Sequence, residues 1–199
     1  MGQMMARIGQ EEDPQKQTEA AKIKADWSRG SHIPSEAEIT TAALLASEGH
    51  LTSVEKMLIE DISIIDIPRN HLEKLSMIVT EQVDIDGINH AEQLGSILSC
   101  IKVPYLWLGN MELSEAETRA LVTAMRDRLK TVVLSDVTLD MEELTKYNGQ
   151  GHCGWLCVED DTKTRYGERL REWAADQGWT VTERDNSLMM EGNSQTGEQ

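Results

Sequence analysis

The chain has 199 residues, a net charge of −16 at pH 7, no Phe, five Trp and three Cys. That charge repels nucleic acid and anionic membrane, so no nucleic acid, no membrane and, if any, a basic protein partner is the expectation. The length suits one domain, no apolar run approaches the ~20 residues of a membrane span, and neither a signal peptide nor a disulfide framework is visible, so reduced thiols in the cytoplasm are expected.

Residues 1–33 read as a flexible N-terminal tail. They are rich in Gln, Glu, Lys and Gly, are broken by Pro14, and carry at most a transient helix over 17–27. The Met1-Gly2 start lacks the Ser or Thr at position 6 of a myristoylation motif, because Ala6 stands there. Ser35 and Glu38 form a capping-box pattern that predicts a helix to about 47, with Ile39, Ala42, Ala43, Leu44 and Leu45 as its buried stripe.

Strand and helix then alternate. Strands are predicted over 54–60, 83–86, 103–108, 131–135, 154–158 and 179–182. Helices are predicted between them over 69–80, 91–101, 114–129, 141–147 and 163–176. Residues from 185 on are polar and Gly-containing and read as a flexible C-terminal tail. The second inward residues of the strands are Ile59, Ile85, Leu108, Leu134, Val158 and Val181, at intervals of 26, 23, 26, 24 and 23. Two residues after them stand Asp61, Gly87, Asn110, Asp136, Asp160 and Glu183. One strand and one helix per period of this size predicts an α/β solenoid: a parallel sheet of about six strands at 34–184 with helices on its outer face. Asn and Asp suit the turn through their short polar side chains, and Gly87 through its tolerance of unusual backbone angles. The 35–47 helix and the 179–182 strand are candidate caps.

The segments Leu106-x-Leu108-x-Asn110-x-x-Leu113 and Val132-x-Leu134-x-Asp136-x-x-Leu139 resemble the leucine-rich-repeat consensus, and the unit lengths resemble its ribonuclease-inhibitor-like subtype. Asn110 comes two residues after the second Leu, where the family usually has three, and the Leu ladder is thinned by Ile, Val and Met. An irregular leucine-rich-repeat-like solenoid is therefore implied. Residues 110–128 and 165–176 are also similar to the C-terminal repeat regions of lancelet NLR-type innate immune receptors, so the resemblance implies protein binding in innate immunity. A Gly-x-x-x-x-Gly-Lys-[Ser/Thr] phosphate loop is absent from the sequence.

If those apolar residues point inward, their strand neighbours form an open face. It gathers Tyr105, Trp107 and Trp155 with Glu60, Asp84, Asp86 and Glu159, an aromatic and acidic surface suited to a protein partner. A register slip of one residue would instead bury Trp107 and Trp155. Two weaker constellations accompany it. His152, Cys153 and Cys157 have zinc-ligand chemistry but lack a fourth ligand nearby, and read as a turn plus a strand thiol. Asp84, Asp86 and Glu60 have acid–base chemistry but no accompanying nucleophile, and read as a docking surface. No Gly-x-Ser-x-Gly occurs. The expectation is a non-enzymatic protein-binding scaffold without cofactor or metal. The alternative is an α/β small-ligand binder or hydrolase with its site at the carboxyl ends of the strands. Self-association through an uncapped sheet end is a third possibility.

Overall fold

The computed structural model describes residues 13–29, 31–60, 73–87, 91–100 and 102–192. The chain opens with helices α1 (Pro14–Trp27) and α2 (Glu36–Ser47), then strands β1 (Ser53–Glu60) and β2 (Val79–Asp86). Helix α3 (Ala91–Cys100), strand β3 (Tyr105–Glu112), helix α4 (Glu115–Asp127) and strand β4 (Thr131–Thr138) follow. After the single turn α5 (Met141–Leu144) come β5 (Trp155–Glu159), α6 (Asp160–Asp176), β6 (Thr180–Arg184) and β7 (Ser187–Glu191). The strands form one open, mostly parallel sheet in the order β1-β2-β3-β4-β5-β7-β6.

Strands β1 to β5 are parallel and each lies beside the one before it. Their alternation is the expected one. Met57 and Ile59, Val83 and Ile85, Leu106 and Leu108, Val132 and Leu134, and Leu156 and Val158 are all buried in the core. Helix residues Leu94, Ile97, Leu121, Met125, Leu170 and Trp173 complete it. The capping box of α2 is formed: the Glu38 N–H donates to Ser35 Oγ at 3.2 Å, and the Ser35 N–H to Glu38 Oε2 at 2.9 Å.

Four local expectations are corrected. Leu44 is 50% exposed, because the stripe of α2 is carried by Ile39, Ala42, Ala43, Leu45 and Ala46. Ala116 is exposed on α4. The predicted helix over 69–80 does not reach its end; residues 61–72 lie outside the described ones, and Val79 and Thr80 are the first residues of β2. Val79 N–H donates to Thr52 O at 2.9 Å, and this inter-strand pairing outweighs the helical spacing of Leu75, Ile78 and Val79. The left-handed turn residues also fall within β3 and β4, so those strands run longer than predicted.

Both expected tails contribute elements. Asp13 caps α1 by accepting from the Gln15 N–H at 3.0 Å, and Pro14 occupies the first turn. Ala20, Ile23 and Trp27, spaced three and four apart, bury one face of that helix, and Trp27 is 1% exposed. At the other end Ser187–Glu191 is a strand, inserted between β5 and β6 and antiparallel to both. Leu188 and Met190 are fully buried by period-2 alternation, and Asp185 and Asn186 make the two-residue hairpin turn. The sixth predicted strand is displaced as a result. β6 is an edge strand rather than the neighbour of β5, and its Val181 is 36% exposed instead of inward.

Three aromatic side chains close the β5 end. Tyr147 lies 6.5 Å from Trp173 and 6.1 Å from Trp179, which are 5.3 Å apart between ring centroids. Each polar tip that leads inward is satisfied: Tyr147 Oη donates to Cys153 O at 2.6 Å and Trp173 Nε1 to Tyr147 O at 3.0 Å.

Candidate functional site: the open face of the sheet

The inward set leaves the alternate residues on the opposite face, and the register arranges them in rows. One row runs Lys56, Gln82, Tyr105, Thr131, Trp155. The next runs Leu58, Asp84, Trp107, Val133, Cys157 and continues to Met189. The third runs Glu60, Asp86, Gly109, Ser135, Glu159. All seven residues singled out from the sequence, Tyr105, Trp107, Trp155, Glu60, Asp84, Asp86 and Glu159, therefore share these three rows. Each is part-exposed.

Within the middle row only Val133 and Cys157 are covered; Leu58, Asp84, Trp107 and Met189 stay part-exposed. Val133 and Cys157 are 4% and 2% exposed, yet neither belongs to the core cluster on the other side of the sheet. Trp107 reaches into the third row. Its indole lies along the strand over Gly109: a Cβ at 109 would meet Cζ3 and Cζ2 of that ring at 2.5 and 2.8 Å. Glycine at 109 is thus what lets the ring lie down. Gly109 carries no expected role from the sequence; the role follows from residues i and i+2 sharing a face. Met189 was likewise missed, since it arrives on β7.

The carboxylates are held in place. Asp84 pairs with Lys56 and accepts from Gln82 Nε2 at 2.8 Å. Asp86 Oδ1 accepts from Asn110 Nδ2 at 2.8 Å. Burial raises the Tyr105 phenol above its ordinary value, and Asp84 and Glu159 add to the shift. Burial also pushes the Cys157 thiol up to about 12, with Glu159 acting in the same direction. A thiol with that value is protonated at neutral pH and is not a nucleophile.

The carboxyl ends of the strands are a ladder of turn residues. Gly87, Asn110, Asp136 and Asp160 all adopt left-handed backbone, with φ of 67°, 51°, 53° and 51°. In β3 and β4 this residue slips the alternation by one, so Met111 and Leu113, and Val137 and Leu139, return to the core. Side chains cross-link the ladder. The Asp161 N–H donates to Asp136 Oδ1 at 3.1 Å, and Ser135 Oγ to Asp160 Oδ2 at 3.1 Å. Asp61 lies outside the described residues. Glu183 is not a turn residue; it sits in β6 and pairs with Lys163 at 3.1 Å and Arg171 at 2.8 Å. The cleft at these ends, of about 420 Å³, is lined by Asn110, Glu112, Asp136, Asp161 and Arg165.

His152, Cys153 and Cys157 do not converge. His152 Nδ1 lies 3.0 Å from Arg126 O, Cys153 Sγ is directed to Trp155 O at 3.5 Å, and Cys157 is on the open face beside Glu159. Among the described residues no group of three or more His, Cys, Asp or Glu is placed to hold a metal ion. No helix among them is long and apolar enough to cross a membrane.

Fold and face together define an open α/β protein whose mostly parallel sheet carries an aromatic and acidic surface. No protein-family model, no curated protein and no solved structure matches the chain.

Proposed function

We propose that this chain is a non-enzymatic scaffold that binds a protein partner through the open face of its sheet. The observation that carries the reading is the register: three aromatic side chains and four carboxylates from β1, β2, β3 and β5 share one part-exposed face. Exposed Trp and Tyr bury large area at low entropy cost, and carboxylates around them favour a basic partner. The finer architectural reading, an irregular leucine-rich-repeat-like solenoid, is part of the same proposal. It is supported by five parallel strands laid side by side in chain order and by four left-handed residues at equivalent strand ends. A role in innate immunity rests on the sequence resemblance alone. A cytoplasmic setting is supported by three buried, unpaired cysteines.

The test is capture by the intact chain compared with Trp107→Ala and Trp155→Ala, with thermal melts in parallel. The expected result is a partner bound by the intact chain and lost by both variants, whose melting temperatures change little. Equal capture by all three proteins would sink the reading.

A further inference from the structure

We infer that the outward face of the Trp107 indole, with Asp86 at its edge, is the seat of an arginine side chain of the partner. The inference rests on the protein-binding reading of the open face and specifies the chemistry that face selects.

One side of the ring is against Gly109, which leaves the other side as the presented one. Gly109 is in register with Asp86 on β2 and with Ser135 on β4. Neighbouring strands lie about 4.8 Å apart, so Asp86 is one strand spacing from the position that the ring covers. Its Oδ1 accepts from Asn110 Nδ2 at 2.8 Å, which holds the group at that place in the row. Glu60 is next to Asp86 on β1, and Glu159 is two strands beyond Gly109 on the other side. Between Asp86 and Glu159 the row holds Gly109 and Ser135, and Ser135 Oγ donates to Asp160 Oδ2 at 3.1 Å, which brings a further carboxylate to that side of Gly109. A flat π surface bordered by carboxylate is complementary to a guanidinium, which stacks on the indole while its edge N–H groups donate to the acid. An ammonium is also drawn to the ring face, but it has no plane to stack and no fork to match the carboxylate, so its contact is the weaker one. The net charge of −16 attracts any cation, but only the ring and its glycine seat distinguish arginine from lysine.

The experiment uses the full chain and fluorescently labelled hexa-arginine, hexa-lysine and hexa-citrulline peptides, read by anisotropy at roughly 0.15 M salt, where long-range attraction is damped. Trp107→Leu removes the ring, and Gly109→Ala lifts it; neither changes the charge. Asp86→Asn keeps the acceptor for Asn110 and removes the charge. Melting curves establish that each variant is folded. The expected result is hexa-arginine bound more tightly than hexa-lysine, no measurable hexa-citrulline binding, and a loss of about tenfold for hexa-arginine in each of the three variants. Unchanged hexa-arginine affinity in Trp107→Leu and Gly109→Ala, with binding that simply weakens as salt rises, assigns the attraction to bulk charge and overturns the inference. Equal affinity for arginine and lysine overturns it too. Partner capture that still depends on Trp107 while hexa-arginine is indifferent to it removes the arginine seat and leaves the face reading standing.

Discussion

The indole of Trp107 rests on the backbone of Gly109, so closely that a Cβ at position 109 would stand 2.5 Å from Cζ3 of the ring. Two residues of one strand thereby build a flat aromatic surface on the sheet's open side. Gly109→Ala is expected to displace the ring and red-shift its fluorescence as it meets more water. Trp107→Ala is expected to lower stability less than a core truncation does, because the side chain keeps part of its surface in water. Leu108→Ala, one residue away and fully buried on the other face, is expected to cost about 2–5 kcal/mol. Urea unfolding of both variants gives the comparison. Similar losses for the two would mean that Trp107 is a core residue.

Asp160 takes left-handed backbone at φ 51° and accepts from Ser135 Oγ. Asp160→Ala is expected to destabilise by about 1–3 kcal/mol, since it loses that bond and places a Cβ without local hydrogen bonding in a disfavoured region. Asp160→Gly loses the same bond but relieves the backbone, and is expected to cost less. Equal unfolding midpoints for Ala and Gly would show that the backbone conformation is not the cause.

Helix α1 and strand β7 are expected to be integral to the fold. Trp27→Ala empties a fully buried site and is expected to cost about 3–5 kcal/mol. Met190→Asp buries a carboxylate on the inward side of β7 and is expected to cost more than about 3 kcal/mol. Chemical denaturation checks both. A wild-type midpoint for either variant is the outcome a loose tail would give.

Acid sensitivity is expected from Glu38. The Ser35 backbone hydrogen bond, the Ser35 hydroxyl and the nearby His32 hold its carboxyl below the ordinary glutamate value of 4.5. A depressed folded-state value means stability that is present above pH 4.5 and lost as pH falls through the lower folded value. Glu38→Gln keeps acceptors for the cap but not the charge. The stability difference between wild type and Glu38→Gln is therefore expected to be constant at neutral pH and to shrink below pH 4.5. A difference that stays constant into strong acid would contradict this.

Much of the site was readable before the structure because it depends on alternation. Leu106 and Leu108 are apolar and buried, so Tyr105 and Trp107 point the other way, and Asp84, Asp86 and Glu159 follow from the same period on their own strands. The turn positions were readable for a related reason. Asn, Asp and Gly tolerate left-handed backbone, and Asn110, Asp136, Asp160 and Gly87 all adopt it. What these local rules cannot contain is which strand pairs with which. Met189 and Met190 sit in a polar context, and only the open edge of β5 makes a strand of them.

The sequence by itself determined the phase of each parallel strand, the capped start of α2 and the chemistry of the open face, because side-chain alternation and turn preference act within a few residues. The tertiary structure alone decided that β7 enters between β5 and β6, that α1 packs through Ala20, Ile23 and Trp27, and that the Trp107 ring lies on Gly109. These outcomes rest on surfaces supplied by distant segments or by the backbone beneath a side chain. A short apolar stripe gains stability only when such a surface is there to cover it.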